Sequence, residues 1–189
     1  MICATRISSA LLDRHPPPSL SYNIVPAPLL SFRRIDPATD AELAYSHYRN
    51  AAIASFGDGE HGSTYEAYVS WLRNRVEEFP DGNVIAMLGH QVIGQLELQV
   101  PYGLRIGYIN LFYVTRPWRR LGFGRRLHEY AERYFQSWEA DQIELHVAPH
   151  NTAAVRFYRS LGYKLAIVET TGGRMWKMQR QTLAKQFSP

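Results

Sequence analysis

Arg119-Arg120-Leu121-Gly122-Phe123-Gly124-Arg125 stands between an apolar, aromatic run, Gly107 to Val114, and a helix-patterned run, Phe123 to Trp138. A strand that turns through glycines into a helix N-terminus is a general device for holding phosphate. The glycines let the backbone approach closely, the free N–H groups of the first turn point at the anion, and arginines add charge-assisted hydrogen bonds. Beyond the turn, Phe123, Leu127, Ala131, Tyr134 and Trp138 recur at helical spacing. Alone, Arg-x-x-Gly-x-Gly is a modest signal, because a helix start decorated with solvated arginines has the same letters.

A second pattern lies downstream. Gln142-Ile143-Glu144-Leu145-His146-Val147 alternates as a strand. Asn151-Thr152-Ala153-Ala154-Val155-Arg156-Phe157-Tyr158-Arg159-Ser160-Leu161-Gly162-Tyr163 then reads as a short helix. Asn151 caps it, Ala154, Phe157 and Leu161 share a face, and Gly162 stops it in a left-handed conformation.

The two patterns together resemble the GNAT family of N-acetyltransferases. That family carries Gln/Arg-x-x-Gly-x-Gly/Ala after its fourth strand and Asn-x-x-Ala-x-x-x-Tyr-x-x-x-Gly-Phe/Tyr after its fifth. Arg119 to Gly124 matches the first, and Asn151, Ala154, Tyr158, Gly162 and Tyr163 match the second at family spacing. The block from Gly107 to Gly162 carries the specific match. It extends more loosely from about Leu30 to Arg180 and leaves residues 1–29 outside. The resemblance implies a mixed α/β fold, with a mostly antiparallel central sheet of six to seven strands flanked by four helices.

The remaining sequence agrees with the order β-αα-βββ-α-β-α-ββ. Leu30 to Ile35 reads as a first strand. Asp36-Pro37 and Thr39-x-x-Glu42 are competing helix-start signals for a helix to about Phe56, and Ser63-x-x-Glu66 is a capping box for a second helix. Tyr65, Tyr68, Leu72 and Val76 fall on one face of that second helix. Asn83 to Leu88 and Gln91 to Val100 read as a hairpin joined at Gly89-His90, and Tyr163 to Thr170 with Arg174 to Arg180 as a closing hairpin. Residues 1–29, with five prolines, read as an irregular extension, 30–181 as the acetyltransferase domain and 182–189 as a tail.

What the resemblance implies chemically is acetyl transfer from acetyl-CoA to a primary amine, by direct attack through a tetrahedral intermediate. Arg119, Arg120, Leu121, Gly122, Phe123, Gly124 and Arg125 occupy the place where the family binds the pyrophosphate of CoA. Phe112-Tyr113-Val114 lies on the strand that in the family bulges and splays. There the pantetheine arm pairs with the exposed backbone, and the Val114 N–H takes the thioester oxygen. Asn151 should bind the pantetheine arm, and Tyr158 should protonate the departing thiolate. An amine with a pKa near 10.4 must also lose a proton. Some family members use a glutamate five residues before the motif asparagine, where this chain has His146. His146 is therefore one candidate base, Glu144 or Glu97 another, and water without a dedicated residue a third. Asn110 is expected to line the same cleft.

At 189 residues, with 46% hydrophobic and 20% charged residues, the chain has the composition of one globular domain. The net charge of +4 concentrates at Arg116, Arg119, Arg120, Arg125 and Arg126. That suits a local anion site better than a nucleic-acid face. The single cysteine, Cys3, precludes an internal disulfide and a cysteine metal site. The histidines form no spaced ligand pattern, so no metal is expected. No apolar run is long enough to span a bilayer, and the expected location is cytoplasmic. The expected partner is a small-molecule or peptide amine, with the chain a monomer or homodimer. Tyr45, Tyr48, Phe56, Tyr65, Tyr68 and Trp71 either line an aromatic acceptor pocket or form core. The competing functions are a non-catalytic acyl-CoA-binding module and an acyltransferase using a longer acyl-CoA.

Overall fold

The computed structural model describes residues 29–57, 62–169 and 175–182. The proline-rich segment, Cys3, the Gly172-Gly173 turn, most of the tail and part of the loop after Gly57 lie outside the described residues. The elements are β1 (Leu30–Arg34), α1 (Ala41–Phe56), α2 (Tyr65–Glu78), β2 (Asn83–Leu88), β3 (Gln91–Gln99), β4 (Ile106–Val114), a 3₁₀ turn (Arg116–Trp118), α3 (Phe123–Ser137), β5 (Gln142–Val147), α4 (Thr152–Ser160), β6 (Lys164–Glu169) and β7 (Met175–Gln181). They build one seven-stranded sheet in the order β1-β2-β3-β4-β5-β7-β6. Its neighbours are antiparallel except β4 and β5, which run parallel. The strand count, the helices and their order are those expected from the sequence.

Two cores follow from strand alternation, since successive side chains point to opposite faces. Ile85 packs with Ile35, Ala44, Tyr68 and Leu72 beneath α1 and α2. Its neighbours Val84 and Ala86 pack on the other face with Leu127, Ala131 and Phe135 of α3 and Val155 and Tyr158 of α4. Gly107 of β4 belongs to this second core. A Cβ there would sit 2.3 Å from the Phe135 ring, so glycine is what lets α3 lie on the strand.

Both helix-start readings are corrected. α1 begins after Asp40, not after Asp36 or Thr39, and Asp40 makes no side-chain cap. Its carboxylate instead forms a two-pronged bond with Arg33 of β1, at 2.6 and 2.8 Å, which ties the helix start to the strand. The Asp36 carboxylate accepts from Ala38 N–H, so Asp36-Pro37 makes a turn and not a cap. α2 is capped by Thr64, whose hydroxyl accepts from Ala67 N–H at 3.3 Å, one residue later than the Ser63 box. In α3 the buried position at the end is Phe135, whereas Trp138 is a half-exposed cap residue.

Gly107→Val should drive a branched side chain into the Phe135 ring and cost about 1–3 kcal/mol or more, the range for overpacking. The check is the denaturant midpoint of the purified variant. An unchanged midpoint would mean that α3 does not rest on Gly107.

Candidate active site

The site begins where two strands part. β4 and β5 pair in register only from Ile106↔Gln142 to Ile109↔Leu145. On the other side of β4 the register slips. Glu97 pairs with Leu111 and Leu98 with Ile109, so Asn110 is an extra residue without a partner on β3. Such a bulge bends the strand and increases its twist. Beyond it, Asn110 to Val114 continue alongside β3 with no β5 residue opposite them. That stretch has no strand partner on its β5 side, and its Val114 carbonyl accepts from Arg119 Nε at 2.8 Å.

A cavity of about 490 Å³ fills the gap. Ala51, Ala54 and Ser55 of α1 line it from one face of the sheet. Ala154, Phe157 and Tyr158 of α4 line it from the other. Between them are the strand ends, with Asn110, Phe112, Tyr113, Val114 and His146, and the turn residues Arg119, Arg120, Gly122, Gly124 and Arg125. Asn151 completes the wall. Leu121, 63% exposed, and Phe123, edge-on to Trp118 at 5.4 Å, belong to the turn without lining the cavity.

The glycine turn has the backbone its sequence calls for. Gly122 takes φ +85° and starts α3, and Gly162 ends α4 at φ +89°. Arg120 also lies in the left-handed region, at φ +65°. A residue with a Cβ pays about 1–2 kcal/mol for that conformation, and such strain gathers at functional sites. Gly124 lies close against α4, since a Cβ there would come within 3.3 Å of the Phe157 ring, a tight contact. Arg119 does not point freely into the cavity. Its Nε donates to the Val114 carbonyl at 2.8 Å, and its guanidinium lies 5.4 Å from the Tyr113 ring centre.

Tyr158 is 7% exposed, with its ring edge-on to Phe112 at 6.1 Å and to Tyr163 at 5.5 Å. Burial pushes its pKa well above that of an ordinary phenol, so it is held protonated. The Asn151 side chain caps α4, accepting from Ala154 N–H at 3.2 Å. His146 bonds the Tyr108 hydroxyl through Nδ1. Glu144 is outside the cavity lining, ion-paired with Lys177 at 2.7 Å and accepting from Gln142 at 2.8 Å.

Glu97 is sealed beneath α1 and α2. It accepts from the Tyr68 hydroxyl and from Gln95 Nε2 at 2.8 Å, and the Gln95 carbonyl faces His47 Nδ1 at 3.0 Å. Burial, opposed by those donors, pushes the carboxyl up to about 7. Tyr45, Tyr48 and Trp71 surround the Tyr68 ring, Tyr65 lies edge-on to Tyr45, and the hydroxyls of Tyr45 and Tyr48 hold the backbone of Ser63. These aromatics fasten α1 to α2 and do not line the cavity. The lining residues missed in the sequence are Ala51, Ala54 and Ser55, whose small size keeps the cleft open. None carries a motif signal.

The model of the acetyltransferase (GNAT) family matches residues 45–163. The chain belongs to the GNAT acetyltransferase family. No curated protein is significantly similar in sequence. Ard1 from Thermoplasma volcanium superposes with a TM-score of 0.66 at 19% identity, over 82% of this chain and 98% of that one. Spermidine N-acetyltransferase from Vibrio cholerae, solved with CoA and spermine, gives 0.64 at 19% identity, over 81% and 95%. Ribosomal-protein-alanine N-acetyltransferase from Brucella melitensis gives 0.63 at 20% identity, over 80% and 99%. At these identities the likeness is one of fold.

The raised carboxyl of Glu97 has a sign in stability. An unfolded chain gives up this proton near the ordinary pKa of 4.5, whereas the folded chain keeps it to about 7. The contribution is therefore fully present below the lower value and lost as pH rises through the upper one. Glu97→Gln should remove that loss. The unfolding midpoint of wild type relative to Glu97→Gln should fall from about pH 5 to about pH 7, and a constant difference would show that Glu97 titrates normally.

Proposed function

We propose that the protein moves an acetyl group from acetyl-CoA to a primary amine by direct attack on the thioester. The observation that carries this reading is continuity. One cavity joins the glycine turn, the free edge from Asn110 to Val114, and Tyr158.

The residues fit the cofactor. The first-turn amides of α3, opened by Gly122 and Gly124 and flanked by Arg120 and Arg125, suit a pyrophosphate. The unpaired backbone of β4 suits an amide-bearing arm that adds like a strand, and Asn151 stands at the far wall of the same cleft. When bound, acetyl-CoA supplies an activated acyl group and a good thiolate leaving group.

The chain's own groups supply the rest. The Val114 N–H is the donor for the acyl oxygen. Its bond strengthens as negative charge grows there, which favours the transition state over the ground state. Arg119 braces that donor, because its bond to the Val114 carbonyl holds the end of β4 in place. Tyr158, kept protonated by burial, is the acid for the leaving thiolate. His146, on the cavity wall where the acceptor enters, receives the amine's proton. Glu144 and Glu97 have their own partners away from the cavity, so His146 is the better candidate.

The acceptor is a primary amine. Polyamines and peptides with an N-terminal alanine head the panel, because they are the substrate types named for structural neighbours.

The test is turnover of acetyl-CoA against that panel. Tyr158→Phe should lower kcat about 10²-fold or more with little change in acetyl-CoA affinity. Wild-type turnover in this variant would remove Tyr158 from the mechanism. Gly124→Glu puts a carboxylate where pyrophosphate belongs and should abolish acetyl-CoA binding. Unchanged affinity would sink the cofactor assignment.

A further inference from the structure

The end of β4 is held by more than its strand partner. Thr115 N–H bonds the Ile93 carbonyl of β3 at 2.8 Å. Backbone groups alternate sides along a strand, so the N–H and C=O of Val114 point away from β3, into the parted gap. The bond from Arg119 Nε to the Val114 carbonyl comes from that side, out of the glycine turn. The donor proposed for the acyl oxygen therefore sits on a strand end with no β5 neighbour. Its aim depends on what holds the residue before it.

That residue is Tyr113, a buried ring opposite Gln95 on the face covered by α1 and α2. Two groups from different elements touch it. The imidazole of His47, on α1, stacks on the ring with centres 4.7 Å apart and planes 29° from parallel. The Arg119 guanidinium lies over the same ring at 5.4 Å. Tyr113 and Arg119 line the cavity, whereas His47 is buried and does not.

His47 is fixed in its turn. Gln95 Nε2 donates to Glu97 at 2.8 Å and to the Tyr68 hydroxyl at 3.1 Å, which turns its carbonyl toward His47. A carbonyl oxygen only accepts, so His47 Nδ1, 3.0 Å away, carries the proton. Burial lowers the pKa of the ring against the pull of the Gln95 bond, so His47 is held neutral. One side chain thus does two jobs. A glutamine there could satisfy the Gln95 carbonyl but has no ring, and a phenylalanine has a ring but no donor.

We propose that His47 is a positioning residue for acyl transfer: through the Tyr113 ring, held by α1 and by the glycine turn, it sets the aim of the Val114 N–H. This rests on the acetyltransferase reading. His47 lies outside the cavity and acts at one remove. A displacement of about 1 Å at a group that serves the transition state can cost about 10²-fold in rate, so a rigid ring behind the donor has a kinetic effect. No motif marks His47, because its partners stand on β3 and β4 and only the fold brings them together.

The test uses the full chain with His47→Phe and His47→Gln. His47→Phe keeps a plate against Tyr113 and strips the Gln95 carbonyl of its donor, so it should lower the thermal midpoint and keep most of kcat. His47→Gln keeps a donor and loses the plate. It should lower kcat at least about tenfold, with acetyl-CoA affinity little changed because the glycine turn is intact. A merely structural His47 predicts that kcat follows the thermal midpoint in both. Tyr113→Leu leaves the Gln95 bond in place and tests the stack from its other member. It should match His47→Gln, and the double variant should be no worse than Tyr113→Leu alone, since one residue acts through the other. Hydrogen exchange at the Thr115 amide reads the same strand end without turnover, and it should speed up in His47→Gln but not in His47→Phe. Wild-type kcat in His47→Gln, additive losses in the double variant, or unchanged Thr115 exchange would overturn the positioning role while leaving acetyl transfer intact. No turnover with any amine would overturn both.

Discussion

The parting of β4 from β5 is the constraint on which the rest depends. Two parallel strands that share a sheet would ordinarily pair along their length. Here pairing stops at Ile109 and Leu145, and the extra residue Asn110 bends β4 away. An unpaired strand edge is costly to leave dry and is a template for another extended chain. The fold tolerates it because the edge opens into a cavity, and the same cavity reaches the start of α3, where the helix's own backbone bonds begin only at the Gly122 carbonyl. The start of α3 and the parted edge of β4 are thus two ends of one defect in the sheet.

The structure around that defect is braced from both faces. On one side, Glu97 and its donors sit beside the bulge, opposite Leu111, and lock α1 and α2 onto β3. On the other, Gly107 lets Phe135 of α3 lie on β4, and Gly124 of α3 sits close to the Phe157 ring of α4. Arg119 closes the end of β4 by bonding the Val114 carbonyl. The polar groups therefore separate by job. The Glu97 network is buried away from the cavity, while Tyr158 and His146 line it.

Much of this was legible in the sequence, for a physical reason. Turns and caps are local, and the residue that permits a local conformation is written at the position. Gly162 adopts the positive φ expected of it, and Asn151 caps α4 as read. β2 has the bounds read for the first arm of the hairpin, and β5 those that its alternation suggested. What could not be read depends on groups far apart in the chain. Asp40 was lost as the start of α1 because its partner is Arg33 in the strand before it. The register slip at Asn110 is a relation between two strands, and no residue type announces it. Glu144 and His146 look alike on paper, two residues apart on one strand face. Lys177 takes up the first, and Tyr108 and Glu169 surround the second. The aromatic residues of α1 and α2 gave a composition without a direction, and they serve the helix interface.

The central claim is that the free edge of β4 and the start of α3 together bind acetyl-CoA. The most direct measurement is the backbone amide spectrum of ¹⁵N-labelled protein titrated with acetyl-CoA. The account expects the amides of Asn110 to Val114 and of Gly122 to Arg125 to shift together and to gain protection from hydrogen exchange. Shifts confined to other strands, or none at saturating cofactor, would contradict it.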